Sequence, residues 1–432
     1  MRTTTIKEIT DPILFKTQLL LWAQQFREIV WLDSNEYPQE YSSYDAILAV
    51  DAFTAIQTDS DNAFDDLKQY QSQTKDWLFG YLAYDLKNDT EQLQSNNYDG
   101  LQFPELFFFQ PKKVFLLKEN QLQILYLGMC DDEIESDWNE IQYIKRVNKK
   151  MMNSISIQQR ISKSEYLFKV NKMLEHIHRG DIYEANFCME FFAEAVAIDP
   201  YEVYQRLNAI SEPPFAGFFK NNKHYLMSAS PERYLRKEGN KMLSQPIKGT
   251  AKRHENALED AEIKAALAEN PKERSENIMI VDLVRNDLAH TARKGSVQVA
   301  ELCGVYTFKQ VHQMISTITS EVEDTISPIE VLKTTFPMGS MTGAPKIAAM
   351  KIIEELEETK RGVYSGALGY FTPDGDFDFN VVIRSILYNA TTNYVSFSVG
   401  SAITAAAIPE QEYDECLLKA KAMREVLETT YN

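Results

Sequence analysis

Pairs of short apolar runs joined by tight polar turns recur along this chain, and they constrain its fold more than any other feature. Gly366–Phe371 and Val381–Tyr388 flank Pro373-Asp374-Gly375-Asp376. In such a turn Pro presets φ and Gly accepts φ > 0. Phe215–Phe219 with Tyr225–Ala229 repeats the pattern, and so does Val114–Leu117 with Leu122–Tyr126 around Lys118-Glu119-Asn120-Gln121. Trp77–Tyr84, Leu106–Phe109 and Ile182–Phe192 read as further buried strands. Helical periods lie between them. From Ser164 to His178, Tyr166, Leu167, Val170, Met173, Leu174 and Ile177 share one side, and Gly180-Asp181 closes the run. Hairpins with interspersed helices predict an α+β fold, large and two-lobed, with mainly antiparallel sheets flanked by helices. The charged, weakly apolar stretch Asp131–Ser164 reads as helix plus connector. It separates an N-terminal lobe (1–150) from a second lobe (151–432), the two intertwined into one globule.

Charge narrows the partners. The chain of 432 residues carries a formal net charge of -18. Nucleic acid is excluded on that ground, because phosphate binding needs a cationic surface. A small anionic substrate is not excluded, since a cleft can hold its own cations and a metal ion. The four cysteines, Cys130, Cys188, Cys303 and Cys416, are scattered with no C-x-x-C pair. They read as reduced structural thiols of a cytoplasmic protein. No signal peptide and no membrane-spanning apolar run are read from the sequence, so no membrane partner is expected. No G-x-G-x-x-G or P-loop supports a nucleotide.

Several constellations carry possible chemistry. After Pro409, Glu412, Glu415 and Lys419 fall at i, i+3 and i+7 on one helical face. After Pro271, Glu273 and Glu276 repeat the spacing. Taken alone, each face is first of all a solvated one. Two carboxylates on each of two helices are also suitable oxygen ligands for Mg²⁺. Arg384 sits in the apolar run Asn380–Leu387, as a structural ion pair or as a bidentate clamp for a carboxylate. Met338 to Lys346 is a small-residue loop feeding a helix near Pro345, where free N–H groups attract anions. Lys248, in Pro246-Ile247-Lys248-Gly249-Thr250, is a turn residue or, with a lowered pKa, a nucleophile.

Together these segments resemble the chorismate-utilising enzymes, the family of anthranilate, aminodeoxychorismate, isochorismate and salicylate synthases. The resemblance runs from about Ser164 to Ala422, with a weaker match around Gly80–Asp85. It rests on Gly180-Asp181-Ile182-Tyr183, Ser230-Pro231-Glu232-Arg233, Pro246–Thr250 and Ile280–Leu288, and continues through Gly343-Ala344-Pro345-Lys346, Arg361-Gly362 and Glu412-x-x-Glu415-x-x-x-Lys419. It implies that Glu273, Glu276, Glu412 and Glu415 surround Mg²⁺ at the ring carboxylate of chorismate. Tyr364 and Arg384 match binders of the enolpyruvyl carboxylate. Ser340 and His312 match residues lining the ring, and Gly249, Thr250 and Lys419 match other active-site positions. Taken by itself, His312 is a satisfied core histidine. Two departures stand out: Gly400-Ser401-Ala402-Ile403 replaces the usual Gly-x-Gly-Ile, and Ala405-Ala406-Ala407 replaces the acidic Asp-Ser after it.

Within the family the resemblance points to one chemistry. Isochorismate-type members activate water with a lysine where this chain has Glu184, which has the wrong charge for that task. Pro-Ile-Lys-Gly-Thr is similar to aminodeoxychorismate synthases, whereas anthranilate synthases carry Pro-Ile-Ala-Gly-Thr. Lys248 is then expected to attack C2, with ammonia adding at C4 to give 4-amino-4-deoxychorismate, on the way to 4-aminobenzoate and folate. That role needs a neutral amine: partial burial, Mg²⁺ or Lys419 nearby is expected to lower its pKa, while the four glutamates pull the other way unless the metal neutralises them. No Gly-x-Cys-x-Gly turn is present, so ammonia is expected from a separate glutamine amidotransferase subunit. The alternatives are the anthranilate synthase large subunit and a non-catalytic chorismate-binding protein.

Overall fold

The computed structural model describes residues 1–37, 41–91, 93–145, 154–309 and 311–429. Among the described residues twenty strands join in one sheet system, and every pairing between those strands is antiparallel. Helices flank it, which is the expected α+β architecture. Strands near the N-terminus pair with strands far along the chain. Glu28–Asp33 lies beside Phe215–Asn221, and Leu78–Leu82 beside Ala367–Phe371. The two large apolar clusters likewise draw side chains from both ends of the sequence. The expected boundary between residues 150 and 151, with part of the connector before Ser164, lies outside the described residues. Ile134–Tyr143 is the helix expected in that stretch.

The central strand for function is Glu184–Ala193, buried along its whole length. Its side chains alternate in character. Ala185, Phe187, Met189 and Phe191 enter one apolar core. Glu184, Asn186, Cys188 and Glu190 therefore face the other way, because successive side chains of a strand point to opposite faces. The strand pairs along its full length with Tyr394–Thr404, which carries Gly400 opposite Cys188. A Cβ on Gly400 would lie 2.6 Å from Cys188 Sγ and 2.9 Å from Asn186 Oδ1, so only glycine lets the polar face close up here. Ala402 pairs with Asn186 and does not adopt positive φ, so the methyl that replaces hydrogen is accommodated without strain.

Three elements differ from expectation. Leu106–Lys118 is one strand and not two; Pro111 pairs with Ala52 where the partner strand shifts register, so its missing N–H breaks nothing. The strand expected from Ile182 begins at Glu184. Most consequentially, Val381–Tyr388 is not continuous. Phe377–Val381 pairs with Ala367–Phe371, whereas Ser385–Asn389 pairs with His224–Ser230. Between them Ile383 N donates to Val381 O at 2.9 Å, and Arg384 takes φ +53°. Arg384 thus stands at the corner where the chain changes partners.

Candidate active site

Four elements converge on Lys248. Its own strand, Ile247–Lys252, runs beside Val311–Glu321. The helix Pro271–Ala289 crosses above, begun by Pro271 and capped by Asn270, whose side chain accepts from Lys272 N and Glu273 N. That cap directs Glu273 and Glu276 toward Lys248 and Gly249. Gly249 has φ +97°, and a Cβ there would lie 3.2 Å from Glu273 Oε2. The C-terminal helix Pro409–Glu428 brings Glu412, Glu415 and Lys419. The fourth element is the polar face of Glu184–Ala193.

Lys248 Nζ donates to Glu184 Oε1 at 2.7 Å, joining residues 64 apart in sequence. Burial alone would push this amine down. Glu184, reinforced by Glu276 and Glu415, outweighs burial and raises its pKa. Unless a metal ion neutralises them the carboxylates dominate, and the site as folded holds Lys248 as an ammonium.

The carboxylates outnumber their cations. Burial, then mutual repulsion, raises Glu273, Glu276 and Glu412, and Glu276 reaches about 7. Burial also acts on Glu415, but Lys419, 2.6 Å away, with Lys248 and Lys272 brings it below its usual range. Lys272 Nζ reaches between Glu412, at 3.6 Å, and Glu276, at 3.9 Å. Among the described residues no three Asp, Glu, His or Cys side chains converge as a ready metal cage. The residues still suit Mg²⁺. Glu276 Oε1 is buried without a hydrogen-bond partner, the donors are hard oxygens, and this ion completes its shell with water and substrate oxygens.

The remaining expected residues take different places. Lys419 also donates to Gly400 O at 2.8 Å, and Arg384 donates to Lys419 O at 3.3 Å. Arg384 feels Tyr364 and Glu415 electrostatically, while Tyr364 is buried with its hydroxyl 3.7 Å from Cys188 Sγ. Ser340 lies in the short turn Gly339–Met341 and hydrogen-bonds Glu232. Thr250 is exposed, opposite Gln313. His312 stands apart: Nε2 meets Asp260 at 3.0 Å and Nδ1 meets Thr307 at 3.0 Å. Both ring nitrogens are taken, so its geometry is that of a satisfied core histidine, with no nitrogen left for a reacting atom.

Glu232 has a functional environment that inspection of single residues overlooked. Burial raises its pKa to about 7, against the pull of Ser340, Lys248 and Lys419. It is a carboxyl able to carry a proton near neutrality, within the field of the two lysines. The signal was present in Ser230-Pro231-Glu232-Arg233, an acid in the turn ending an apolar strand. A cavity of about 500 Å³ lies elsewhere, lined by Ser34, Tyr44, Phe215, Arg233, Tyr370 and Asp378, and neither Lys248 nor Glu232 nor any of the four helix glutamates lines it.

An antiparallel α+β fold thus brings a largely buried lysine among carboxylates from two helices. The chain belongs to the chorismate binding enzyme family, whose profile matches residues 27–425. It is 34% identical over 361 residues to an anthranilate synthase component I-like protein of Synechocystis, covering 82% of this chain and 72% of the relative. It is 31% identical to aminodeoxychorismate synthase component 1 of Escherichia coli, covering 81% and 76%. Among solved structures, anthranilate synthase component I of Streptococcus pneumoniae superposes with a TM-score of 0.79 at 23% identity, covering 90% of this chain and 94% of that one. The menaquinone-specific isochorismate synthase of Escherichia coli superposes with a TM-score of 0.77 at 14% identity, covering 99% and 95%. Among the described residues no helix is long and apolar enough to cross a membrane.

Proposed function

We propose that this enzyme aminates chorismate at C4, giving 4-amino-4-deoxychorismate through a covalent intermediate on Lys248. The observation that carries the reading is Lys248 itself: a largely buried primary amine at the meeting point of four elements, hydrogen-bonded to Glu184. Its Nζ forms a bond to C2, the two ring double bonds shift, and the C4–O bond breaks. Glu232 supplies the proton with which the hydroxyl leaves as water. Ammonia then bonds to C4, the double bonds shift back, and the C2–Nζ bond breaks. A proton from the new ammonium restores Glu232. Arg384 and Tyr364 hold the enolpyruvyl carboxylate, and Ser340 keeps Glu232 oriented. Glu273, Glu276, Glu412 and Glu415 would hold Mg²⁺, whose chemistry there is to neutralise the ring carboxylate.

The ammonia is delivered from glutamine by a separate amidotransferase subunit, which the component 1 names of relatives support. The four cysteines are buried and unpaired, which suits a reducing cytoplasm and offers no exposed thiol for glutamine hydrolysis. Anthranilate formation is the second reading, favoured by relatives at comparable identity that bear that name. The test is chorismate with Mg²⁺ and ammonia, the product resolved by chromatography. Omitting ammonia should leave an adduct that peptide mapping places on Lys248. Anthranilate as product, with Lys248 unmodified, would overturn the proposal.

A further inference from the structure

Glu184 has no role in the steps above, yet it is the hydrogen-bond partner of the reacting amine. Its Oε1 accepts from Lys248 Nζ at 2.7 Å, its side chain is 2% exposed, and its Oε2 is buried without a hydrogen-bond partner. The same strand shows what a purely structural carboxylate looks like. Glu190 uses both oxygens, one accepting from Arg160 Nε at 3.0 Å and the other from the Tyr394 hydroxyl at 2.8 Å. A buried anion with one oxygen left unbonded is held less well than a fully bonded one, and taking a proton replaces a buried charge by a neutral group. The other acids around Lys248 are committed differently. Glu273 and Glu276 come from the Pro271–Ala289 helix and Glu415 from the C-terminal helix, where a cation would engage them. Glu232 is bonded to Ser340.

We propose that Glu184 is the proton acceptor for Lys248. This rests on the reading of Lys248 as nucleophile. An Nζ–H bond breaks and an O–H bond forms on Glu184, and the electron pair left on nitrogen forms the Nζ–C2 bond. When ammonia bonds to C4 and the C2–Nζ bond breaks, that pair returns to nitrogen and takes the proton back from Glu184. The ion pair is thereby restored, with no oxidant or reductant consumed. Glu184 is the first residue of its strand, paired with Thr404 on one side and Ala344 on the other. The carboxylate is thus positioned by two backbone ladders and not by a flexible loop.

The test uses the full chain with chorismate and Mg²⁺ and without ammonia, rapidly mixed and quenched, the adduct on Lys248 followed by intact mass. Glu184→Gln should slow adduct formation by about 10²–10⁴-fold, the range of a general base, while the dissociation constant for chorismate stays within about threefold. Glu184→Asp, which keeps the carboxylate, should recover at least about tenfold of that loss. If Glu184→Gln does not fold, Glu184→Leu, which buries no polar atom, carries the same prediction. Adduct formation by Glu184→Gln or Glu184→Leu at the wild-type rate would overturn the role of Glu184 while leaving Lys248 as nucleophile. A wild-type enzyme that forms no adduct would overturn the nucleophile itself, so the two failures are distinct.

Discussion

Two buried ionic clusters touch the Glu184–Ala193 strand, and they are built on opposite principles. Around Arg361 every charge is answered. Its guanidinium binds Glu357 through Nε at 2.9 Å and Nη2 at 2.6 Å, and donates to Met341 O and Asn186 O at 2.6 and 2.7 Å. The Tyr84 ring lies 4.5 Å from its centre, and Glu357 also accepts from Cys188 N at 2.8 Å. Around Lys248 the acids exceed the cations, and Glu184 Oε2 and Glu276 Oε1 are buried without hydrogen-bond partners. A buried ion pair with all partners satisfied resists being broken, whereas an unsatisfied one stores free energy that a ligand can release. The first cluster ties the strand to the segment Glu357–Arg361. The second is where, on the proposed function, substrate and cation would be received.

Mutation should separate the two clusters, and the largest effect belongs to the unsatisfied one. Lys248→Ala should lower 4-amino-4-deoxychorismate formation by on the order of 10⁴-fold, more than 5 kcal/mol in the transition state, with no adduct by intact mass. Retention of wild-type turnover would reduce Lys248 to a turn residue. Arg361→Ala should cost about 3–5 kcal/mol of stability in urea melts, the usual result of leaving a buried partner charge alone. A loss below 1 kcal/mol would erase the contrast between the clusters.

Arg384→Lys should cost about 2–4 kcal/mol in kcat/KM, because a planar fork becomes a point charge at an unchanged net charge. An unaltered kcat/KM would leave Arg384 as the residue that shapes the strand corner. Glu232→Gln tests the acid with a signed pH effect. Its pKa of about 7 exceeds that of an unfolded glutamate, so the native state binds the extra proton. This contribution to stability is complete below about pH 4 and is lost as pH rises through about 7. The variant should therefore match wild type near pH 4 and exceed it by about 2–3 kcal/mol at pH 8, in denaturant melts at each pH. The opposite slope would place the carboxylate in a satisfied cluster. Glu276→Gln should produce the smallest shift, a gain of about 1 kcal/mol at pH 8 without Mg²⁺, since it removes a repelled charge. Its turnover should nonetheless be lost. Destabilisation together with full activity would contradict the ligand assignment.

Parts of this arrangement were legible residue by residue. Pro271 and Pro409 announced helix starts, and the i, i+3 spacing placed each glutamate pair on one face. Pro373-Asp374-Gly375-Asp376 announced a hairpin, and Thr372 N indeed donates across the turn to Asp376 O at 2.8 Å. Arg384 was legible as an arginine in an apolar run, but the break at positive φ was not, because nothing in Val381–Leu387 is glycine, asparagine or proline. The reason lies outside the segment: two different strands compete for its backbone, and the chain turns to satisfy both.

What the sequence determined by itself was the local order of strands and helices, the polar and apolar faces of each, and the family to which they point. Period and turn chemistry are properties of neighbouring residues, so they survive reading in one dimension. Only the tertiary structure decided that Glu184 meets Lys248, that Glu232 is buried enough to keep its proton near neutrality, and that His312 spends both nitrogens on Asp260 and Thr307. Ionisation and hydrogen bonding depend on distance and on the exclusion of water, and both are set by which distant segments pack together.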